Sequence, residues 1–115
     1  MGVDKDLMLF LGSSQVGDGE PDLGTKLMDA FLKMFLESEQ IPAKIVCMNS
    51  GIFLTTEGSP VIESLKIFDE LGTEILSCGT CLAYFKREDK VLIGNPTNMK
   101  ETVQAMLTFK KVLSP

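Results

Sequence analysis

The sequence predicts a three-layer α/β/α sandwich built around a parallel five-stranded sheet. Five short apolar runs alternate along the chain with longer segments of helical periodicity. Runs that are apolar throughout are typical of strands buried on both faces of a parallel sheet, which right-handed helical crossovers connect. With 115 residues, of which 44% are hydrophobic, the chain is long enough for one domain with its own core.

The first half of the chain supplies two strands and one helix. Residues Asp6–Gly12 form an apolar run that a glycine stops, and this pattern predicts the first strand. Residues Asp22–Ser38 carry apolar side chains at spacings of three and four, which predicts a helix with Asp22 as its N-cap. The apolar run Ile45–Met48 predicts the second strand.

The middle of the chain continues the alternation of helix and strand. Residues Ser59–Gly72 predict a helix in which Ser59 is the N-cap, Pro60 takes the first helical position and glycine ends the helix. Residues Glu74–Ser77 predict the third strand, and a short helix is expected to begin near Thr80.

The last part of the chain predicts two further strands and one helix. Residues Lys90–Asn95 are interpreted as the fourth strand and Lys110–Ser114 as the fifth. Between them, Asn98–Phe109 has helical periodicity, with Asn98 as N-cap and Glu101 placed three residues later to complete a capping box.

The predicted topology gathers four loops at one edge of the sheet. In parallel α/β sheets, binding sites lie at the carboxyl ends of the strands. By that rule the loops at residues 12–22, 49–59, 78–80 and 95–98 open on the same edge. The C-x-x-C pair of the chain falls in one of these loops.

Composition and charge exclude several classes of function. The net charge of −5 argues against nucleic acid and against an anionic membrane surface as partners. No apolar run approaches the roughly 20 residues that a membrane span requires, and the start of the chain lacks the features of a secretory signal. Three cysteines, an odd number, suit a reduced cytoplasm better than a disulfide framework. We therefore expect a cytoplasmic protein.

The glycine-rich loop after the first strand does not match a phosphate cradle. A P-loop requires Gly-Lys-Ser/Thr, but Gly17 is followed by Asp18, and Asp22 stands where a dinucleotide motif requires its third glycine. The acidic side chains of this loop would also repel a phosphate at the start of the helix. We interpret the loop as a flexible acidic turn or lid and expect no cofactor.

The loop after the second strand contains two features of interest. Asn49, Ser50 and Gly51 can form a tight turn that supplies backbone N–H groups at the strand end, which makes them candidate substrate-binding residues. The triplet Ile52–Leu54 that follows is apolar, although surface loops are usually polar. It is either a short buried turn or an exposed apolar patch. From this triplet we expect a homo-oligomer with the loop in or beside the interface.

The cysteine pair allows several interpretations. A structural zinc site normally takes four Cys or His ligands, yet the chain has no histidine and one other cysteine, Cys47, inside an apolar run. Cys47 is expected to be a buried, inert side chain. For Cys78 and Cys81 the remaining alternatives are a dithiol/disulfide couple, a nucleophilic thiolate, or two cysteines packed at a strand end.

The nucleophile interpretation rests on the neighbours of Cys81. This residue is expected in the first turn of the short helix, where free N–H groups and the helix dipole stabilise an anion. Lys86, Arg87 and Lys90 follow and make a local positive cluster. Such surroundings lower the pKa of a thiol, so we expect a low pKa for Cys81.

Several segments together resemble one known family. The stretch "CMNSGIFLTTEGSPVIESLKIFDELGTEILSCGTCLAYF", with "NSG", "TEGS" and "EILSCGTCL" inside it and "TNM" beyond it, resembles the DsrE/DsrF-like family. It is most similar to the carboxy-terminal domain of YedF-type, sulfurtransferase-like selenium-metabolism proteins. The resemblance covers essentially the whole chain and implies a single DsrE-like domain over residues 1–115, with a homo- or hetero-oligomeric state.

The resemblance also implies a function and a site. Family members in sulfur relays hold sulfane sulfur as a persulfide on one cysteine, which carries over to Cys81 first and Cys78 second. Gly79 and Thr80, between the two cysteines, are further candidate substrate-binding residues. The implied partner is a protein sulfur donor or acceptor such as a TusA-like domain.

Three functional hypotheses follow. The first is a sulfur or selenium carrier, sulfurtransferase-like at most, with a persulfide on Cys81 and Cys78 as a resolving or guarding thiol. The second is a redox protein that cycles Cys78 and Cys81 between dithiol and disulfide. The third is a non-catalytic oligomeric binding module in which the cysteines are incidental.

Overall fold

The computed structural model describes residues 2–115 and confirms the predicted α/β fold. All strand pairings are parallel, and the spatial order is β4-β3-β2-β1-β5. The elements are β1 (Asp4–Leu11), α1 (Pro21–Glu37), β2 (Pro42–Cys47), a 3₁₀ helix (Asn49–Leu54), α2 (Ile62–Glu70), β3 (Glu74–Cys78), α3 (Gly79–Tyr84), β4 (Asn95–Thr97), α4 (Met99–Thr108) and β5 (Lys111–Leu113).

The direction of the crossovers distributes the helices over the two faces of the sheet. From β1 to β4 every connection steps the same way across the sheet, so right-handed crossovers place α1, α2 and α3 on one face. The connection from β4 to β5 runs back across the sheet and places α4 on the other face. The hydrophobic clusters agree, because α1, α2 and α3 contribute to one of them and α4 to the other.

The core is larger on the face that carries three helices. There Phe68, Leu65 and Met28 from the helices meet Leu9 and Ile45 from the strands, and each is at most 1% exposed. Complete burial of such a side chain stabilises the fold by about 1.5–3 kcal/mol. The second face has a smaller cluster, made of Met8, Val46, Leu76 and Ala105.

Two predicted helix starts are wrong. Helix α1 begins at Pro21, with Glu20 in the N-cap position and no side-chain cap, so Asp22 lies inside the first turn. Proline at this position needs no N–H partner, which lets the helix start before the predicted cap. Helix α2 begins at Ile62, and Ser59 instead stabilises the preceding turn, where its Oγ accepts the Val61 N–H at 3.2 Å.

The predicted fourth strand is also misplaced. Residues 90–92 leave the sheet and run antiparallel to the segment after the 3₁₀ helix, with a bridge between Val91 and Thr56. Gly94 then turns the chain with a φ of +80°, and a Cβ there would collide with the carbonyl oxygen of Ile75. Pairing with β3 therefore starts only at Asn95.

The predicted cap of the last helix is confirmed. The Glu101 N–H donates to Asn98 Oδ1 at 2.8 Å, and the Asn98 amide donates to Glu101 Oε1 at 3.1 Å. The second bond closes the capping box through the side-chain amide rather than the backbone N–H.

Over residues 2–115, no helix has both the length and the apolar character that crossing a membrane would require.

Candidate functional site

The carboxyl ends of the strands bring the predicted loops together at one edge. After β1, the Met48 N–H from the neighbouring loop donates to the Leu11 carbonyl at 3.0 Å. The turn that starts the 3₁₀ helix packs against the same carbonyl, because Gly51 has no Cβ to strike it. This close approach fixes the position of the 3₁₀ helix beside the end of β3 and the start of α3.

Cys81 lies in the first turn of α3 and is partly exposed at this edge. Its Sγ accepts a hydrogen bond from the backbone N–H of Asn49, with an N–S distance of 3.1 Å. Asn49 has a φ of +54°, a left-handed conformation that asparagine tolerates better than most residues. The structure thus brings together two predicted site residues that are 32 positions apart in sequence.

Cys78 has a structural position at the end of β3. It is 5% exposed and is the N-cap of α3, where its Sγ accepts the N–H of Cys81 at 3.4 Å. The short helix that was predicted to begin near Thr80 begins at Gly79. The two cysteines are therefore adjacent, with one inside the protein and one facing outward.

Cys81 opens into a groove of about 410 Å³ that is lined by Asn49, Thr80, Cys81, Tyr84 and Phe85. We call it the Cys81 groove. Tyr84 is 80% exposed, and its ring meets the Phe85 ring edge-on with centroids 5.1 Å apart. Sequence reasoning missed these two aromatic residues. Their spacing of three and four from Cys81, which places all three on the same side of a helix, was the available signal.

Three other predicted substrate-binding residues lie outside the groove. Ser50 faces the loop after β1, where its Oγ accepts the Ser14 N–H at 3.2 Å. Gly51 is buried against β1. Gly79 packs near the carbonyl of Thr97, which a Cβ would approach to 3.3 Å. These three residues pack against neighbouring backbone at the strand ends and do not line the Cys81 groove.

The pKa of the Cys81 thiol is raised above its usual value, contrary to the expectation of a low pKa. Desolvation by burial is the largest cause, and the neighbouring Cys78 acts in the same direction. The N–H of Asn49 opposes both, because its hydrogen bond favours the thiolate. At neutral pH Cys81 is therefore mainly a thiol, and the backbone N–H of Asn49 stabilises its ionised form.

Two members of the predicted basic cluster are held by other groups. Arg87 Nη1 donates to the Glu57 carbonyl at 2.8 Å and to Thr56 Oγ1 at 3.1 Å, and the guanidinium lies over the Phe53 ring. Lys90 pairs with the Glu57 carboxylate at 3.5 Å. These contacts direct both cations to the segment after the 3₁₀ helix, so the expected cluster around Cys81 is not formed.

The apolar triplet of the same loop is a buried turn. Ile52 is 0% exposed and Leu54 is 1% exposed. Phe53, between them, is half-buried, and its ring centroid lies 4.7 Å from that of Phe85. The alternative of an exposed patch is therefore wrong. Because the triplet is buried, it gives no reason to place a subunit contact at this loop.

Cys47 is buried as expected. It is 0% exposed, and burial raises the pKa of its thiol to about 12.

Within residues 2–115, no three Cys, Asp or Glu side chains are grouped so that they could hold a metal ion.

Comparison with known proteins identifies the fold. No protein-family model matches the sequence, and no curated protein is similar to it. The solved structure of MTH1491 from Methanobacterium thermoautotrophicum, a protein of unknown function, has a TM-score of 0.72 at 10% identity, covering 97% of this chain and 100% of that one. The YchN protein from E. coli gives a TM-score of 0.67 at 16% identity, with coverage of 97% and 100%.

These likenesses show the fold, a parallel α/β sheet flanked by helices in the arrangement that MTH1491 and YchN share. The chain has this fold over nearly its whole length. The narrower resemblance to the YedF-type domain depends on the sequence segments alone.

Proposed function

We propose that the protein is a sulfur or selenium carrier in which Cys81 holds sulfane sulfur as a persulfide. The observation that supports this most is the Asn49 N–H, which donates to Cys81 Sγ at 3.1 Å beside an open groove. A backbone donor aimed at a partly exposed sulfur stabilises negative charge there. The resemblance to YedF-type proteins supports the same cargo chemistry.

The transfer step requires only a thiolate and a persulfide donor. Cys81 loses its proton to solvent, and the thiolate attacks the outer sulfur of a donor persulfide. A new S–S bond forms between Cys81 Sγ and the transferred outer sulfur while the S–S bond of the donor breaks. The inner sulfur of the donor leaves as a thiolate with the electron pair of the broken bond. No net oxidation or reduction takes place. In the second transfer, an acceptor thiolate attacks the outer sulfur of the Cys81 persulfide, and Cys81 leaves as a thiolate.

The raised pKa of Cys81 has a consequence for this step. The reactive form is the thiolate, so loading should become faster as the pH rises toward the pKa of Cys81. The Asn49 N–H partly offsets the desolvation, and the groove leaves room for the donor cysteine to approach the sulfur.

A second candidate function is a dithiol/disulfide couple. It is favoured by one observation, the 3.4 Å contact through which Cys78 Sγ accepts the Cys81 N–H and which keeps the two cysteines adjacent. In this reaction Cys81 attacks a partner disulfide, and Cys78 then attacks Cys81 and releases the partner as a dithiol. The partner is reduced and the pair is oxidised. Both chemistries suit a reducing compartment such as the cytoplasm, where thiols stay free.

We propose two kinds of partner for this protein. One is a protein sulfur donor or acceptor, such as a TusA-like domain, and the other is a second copy of this chain. The homo-oligomer is now supported by α4 rather than by the 52–54 turn. Met99, Val103, Met106 and Leu107 lie at helical spacing and are 58, 46, 37 and 82% exposed. Light scattering at micromolar concentration tests this expectation, and a monomer would contradict it.

Intact mass measurement after exposure to a sulfane donor separates the candidates. A gain of roughly 32 Da per reacting cysteine indicates a persulfide, and a loss of about 2 Da indicates a disulfide. An unchanged mass in the folded protein favours the binding module.

A further inference from the structure

A second cavity lies at the same edge of the sheet as the Cys81 groove. Its volume is about 210 Å³, and Arg87, Phe53 and Glu57 line it together with the hydroxyl-bearing residues Ser14 and Thr25. We call it the Arg87 pocket. Arg87 is the single arginine of the chain, and the sulfur chemistry proposed above does not use it.

The guanidinium of Arg87 is held in a fixed orientation. Nη1 donates to the Glu57 carbonyl oxygen at 2.8 Å and to Thr56 Oγ1 at 3.1 Å, which accounts for the two hydrogens of that nitrogen. The Cζ atom lies 4.5 Å from the centroid of the Phe53 ring, so one face of the group is covered. Within residues 2–115, Nε and Nη2 have no side-chain or backbone acceptor.

The unused edge has the geometry that recognises oxyanions. The Nε–H and the adjacent Nη2–H point the same way, side by side, on one edge of the planar group. Two parallel donors at this spacing match two oxygens of a carboxylate, phosphate or sulfate and bind them bidentately. The contacts of Nη1 pre-organise this edge.

The charge of Arg87 is also uncompensated. Among residues 2–115, the ion pairs do not include Arg87. The one carboxylate on the pocket wall, that of Glu57, pairs with Lys90 at 3.5 Å. A half-buried cation without a counter-ion in a chain of net charge −5 is best satisfied by an anion from solution.

We propose that the Arg87 pocket binds a small oxyanion through the Nε–Nη2 edge of Arg87. The Ser14 hydroxyl supplies a further donor, whereas the Thr25 hydroxyl already donates to the Pro21 carbonyl at 3.0 Å. The volume of about 210 Å³ exceeds the roughly 30 Å³ of one water, so a phosphate-sized group fits with part of its hydration. The acidic residues 18, 20 and 22 do not line the pocket.

This site is separate from the Cys81 groove. The contacting rings of Phe53 and Phe85, tilted by 56° with centroids 4.7 Å apart, lie between them, since Phe53 lines the pocket and Phe85 lines the groove. The oxyanion proposal therefore does not depend on the sulfur chemistry, and either can fail without the other.

The test is an NMR titration of the folded chain, in which backbone amide shifts are followed as sodium phosphate is added at constant ionic strength set with NaCl. We expect saturable shifts around residues 14, 25, 57–58 and 87. Parallel titrations with sulfate and acetate show whether a tetrahedral or a planar oxyanion fits better. Changes that NaCl reproduces, or that do not saturate for any of the three anions, contradict the proposal.

Three variants make the test specific. Arg87→Lys keeps the charge but removes the two-donor edge, and it should weaken binding about tenfold or more. The matched control Lys86→Gln removes a neighbouring exposed charge and should change the affinity less than about twofold. Glu57→Gln removes the anion on the wall and should tighten binding about two- to fivefold.

Each outcome decides the matter. If Arg87→Lys binds as the wild type does, the two-donor edge is not the binding group and the proposal is wrong. If Arg87→Lys melts at the titration temperature, Glu57→Gln takes its place, and an unchanged or lower affinity in that variant overturns the proposal.

Discussion

Cys47 and Cys81 both lie near the carboxyl ends of neighbouring strands, but the structure gives their thiols different surroundings. Cys47 is the last residue of β2, is completely buried and has a pKa of about 12. Cys81 lies three residues beyond the end of β3 and faces a groove, with the Asn49 N–H on its sulfur. The comparison teaches that exposure and one directed donor, rather than the strand end itself, select the candidate nucleophile.

The largest expected difference is in alkylation of the folded protein. Cys47 can react only after the protein opens, and opening costs at least several kcal/mol for a residue in the core. We expect Cys81 to react with iodoacetamide at least about 1,000-fold faster than Cys47. Quenched alkylation followed by peptide mass mapping measures both rates. In denaturant the two rates should become similar, and equal rates in the native protein would refute the comparison.

The pH dependence of the Cys81 reaction is the next largest effect. Its pKa is raised above the usual value, and only the thiolate is alkylated. The rate should therefore rise steeply with pH from pH 7 and continue to rise above the ordinary pKa of about 8.5. The same cysteine in the unfolded chain is the control and should level off near its ordinary pKa of about 8.5. A plateau of the folded protein below pH 8 would restore the low pKa that the sequence suggested.

A smaller effect is expected from the packing that positions Asn49. In Gly51→Ala the new Cβ strikes the Leu11 carbonyl, so the 3₁₀ helix must shift and the Asn49 N–H must move with it. We expect a loss of about 1–3 kcal/mol in the free energy of unfolding and a changed alkylation rate at Cys81. The matched control is Gly19→Ala, because that glycine has open space around it. Urea unfolding measures both variants, and equal stability of the two would contradict this account.

The sequence predicted the sheet well because a buried parallel strand has a local signature. The runs in β1, β2 and β3 are apolar throughout, and each was placed to within a few residues. The segment 90–95 has the same signature, yet its position is decided by the fit of Gly94 against Ile75, a contact between distant parts of the chain. No local pattern contains that information.

The candidate site was predictable in part for the same reason. The rule that loops gather at the carboxyl edge of a parallel sheet predicted that the loop of Asn49 and the loop of the cysteine pair open on the same edge. The expected positive field failed because the orientation of Arg87 depends on the Phe53 ring and the carbonyl of Glu57, some 30 residues away. Likewise, the buried Cys78 side chain caps α3, and the usual preference for serine, threonine, aspartate or asparagine at an N-cap does not reveal such a cap.

The central claim is that Cys81 is the sulfur-carrying residue. Loading of variants in which one cysteine at a time is replaced by serine tests this claim most directly. Wild type, Cys81→Ser, Cys78→Ser and Cys47→Ser are each exposed to a sulfane donor under identical conditions, and the intact masses are compared. We expect a gain of roughly 32 Da in the wild type and in Cys47→Ser, and a gain that is kept in Cys78→Ser. Cys81→Ser should show no gain. If Cys81→Ser still loads while Cys78→Ser does not, the carrier is Cys78 and the claim is wrong.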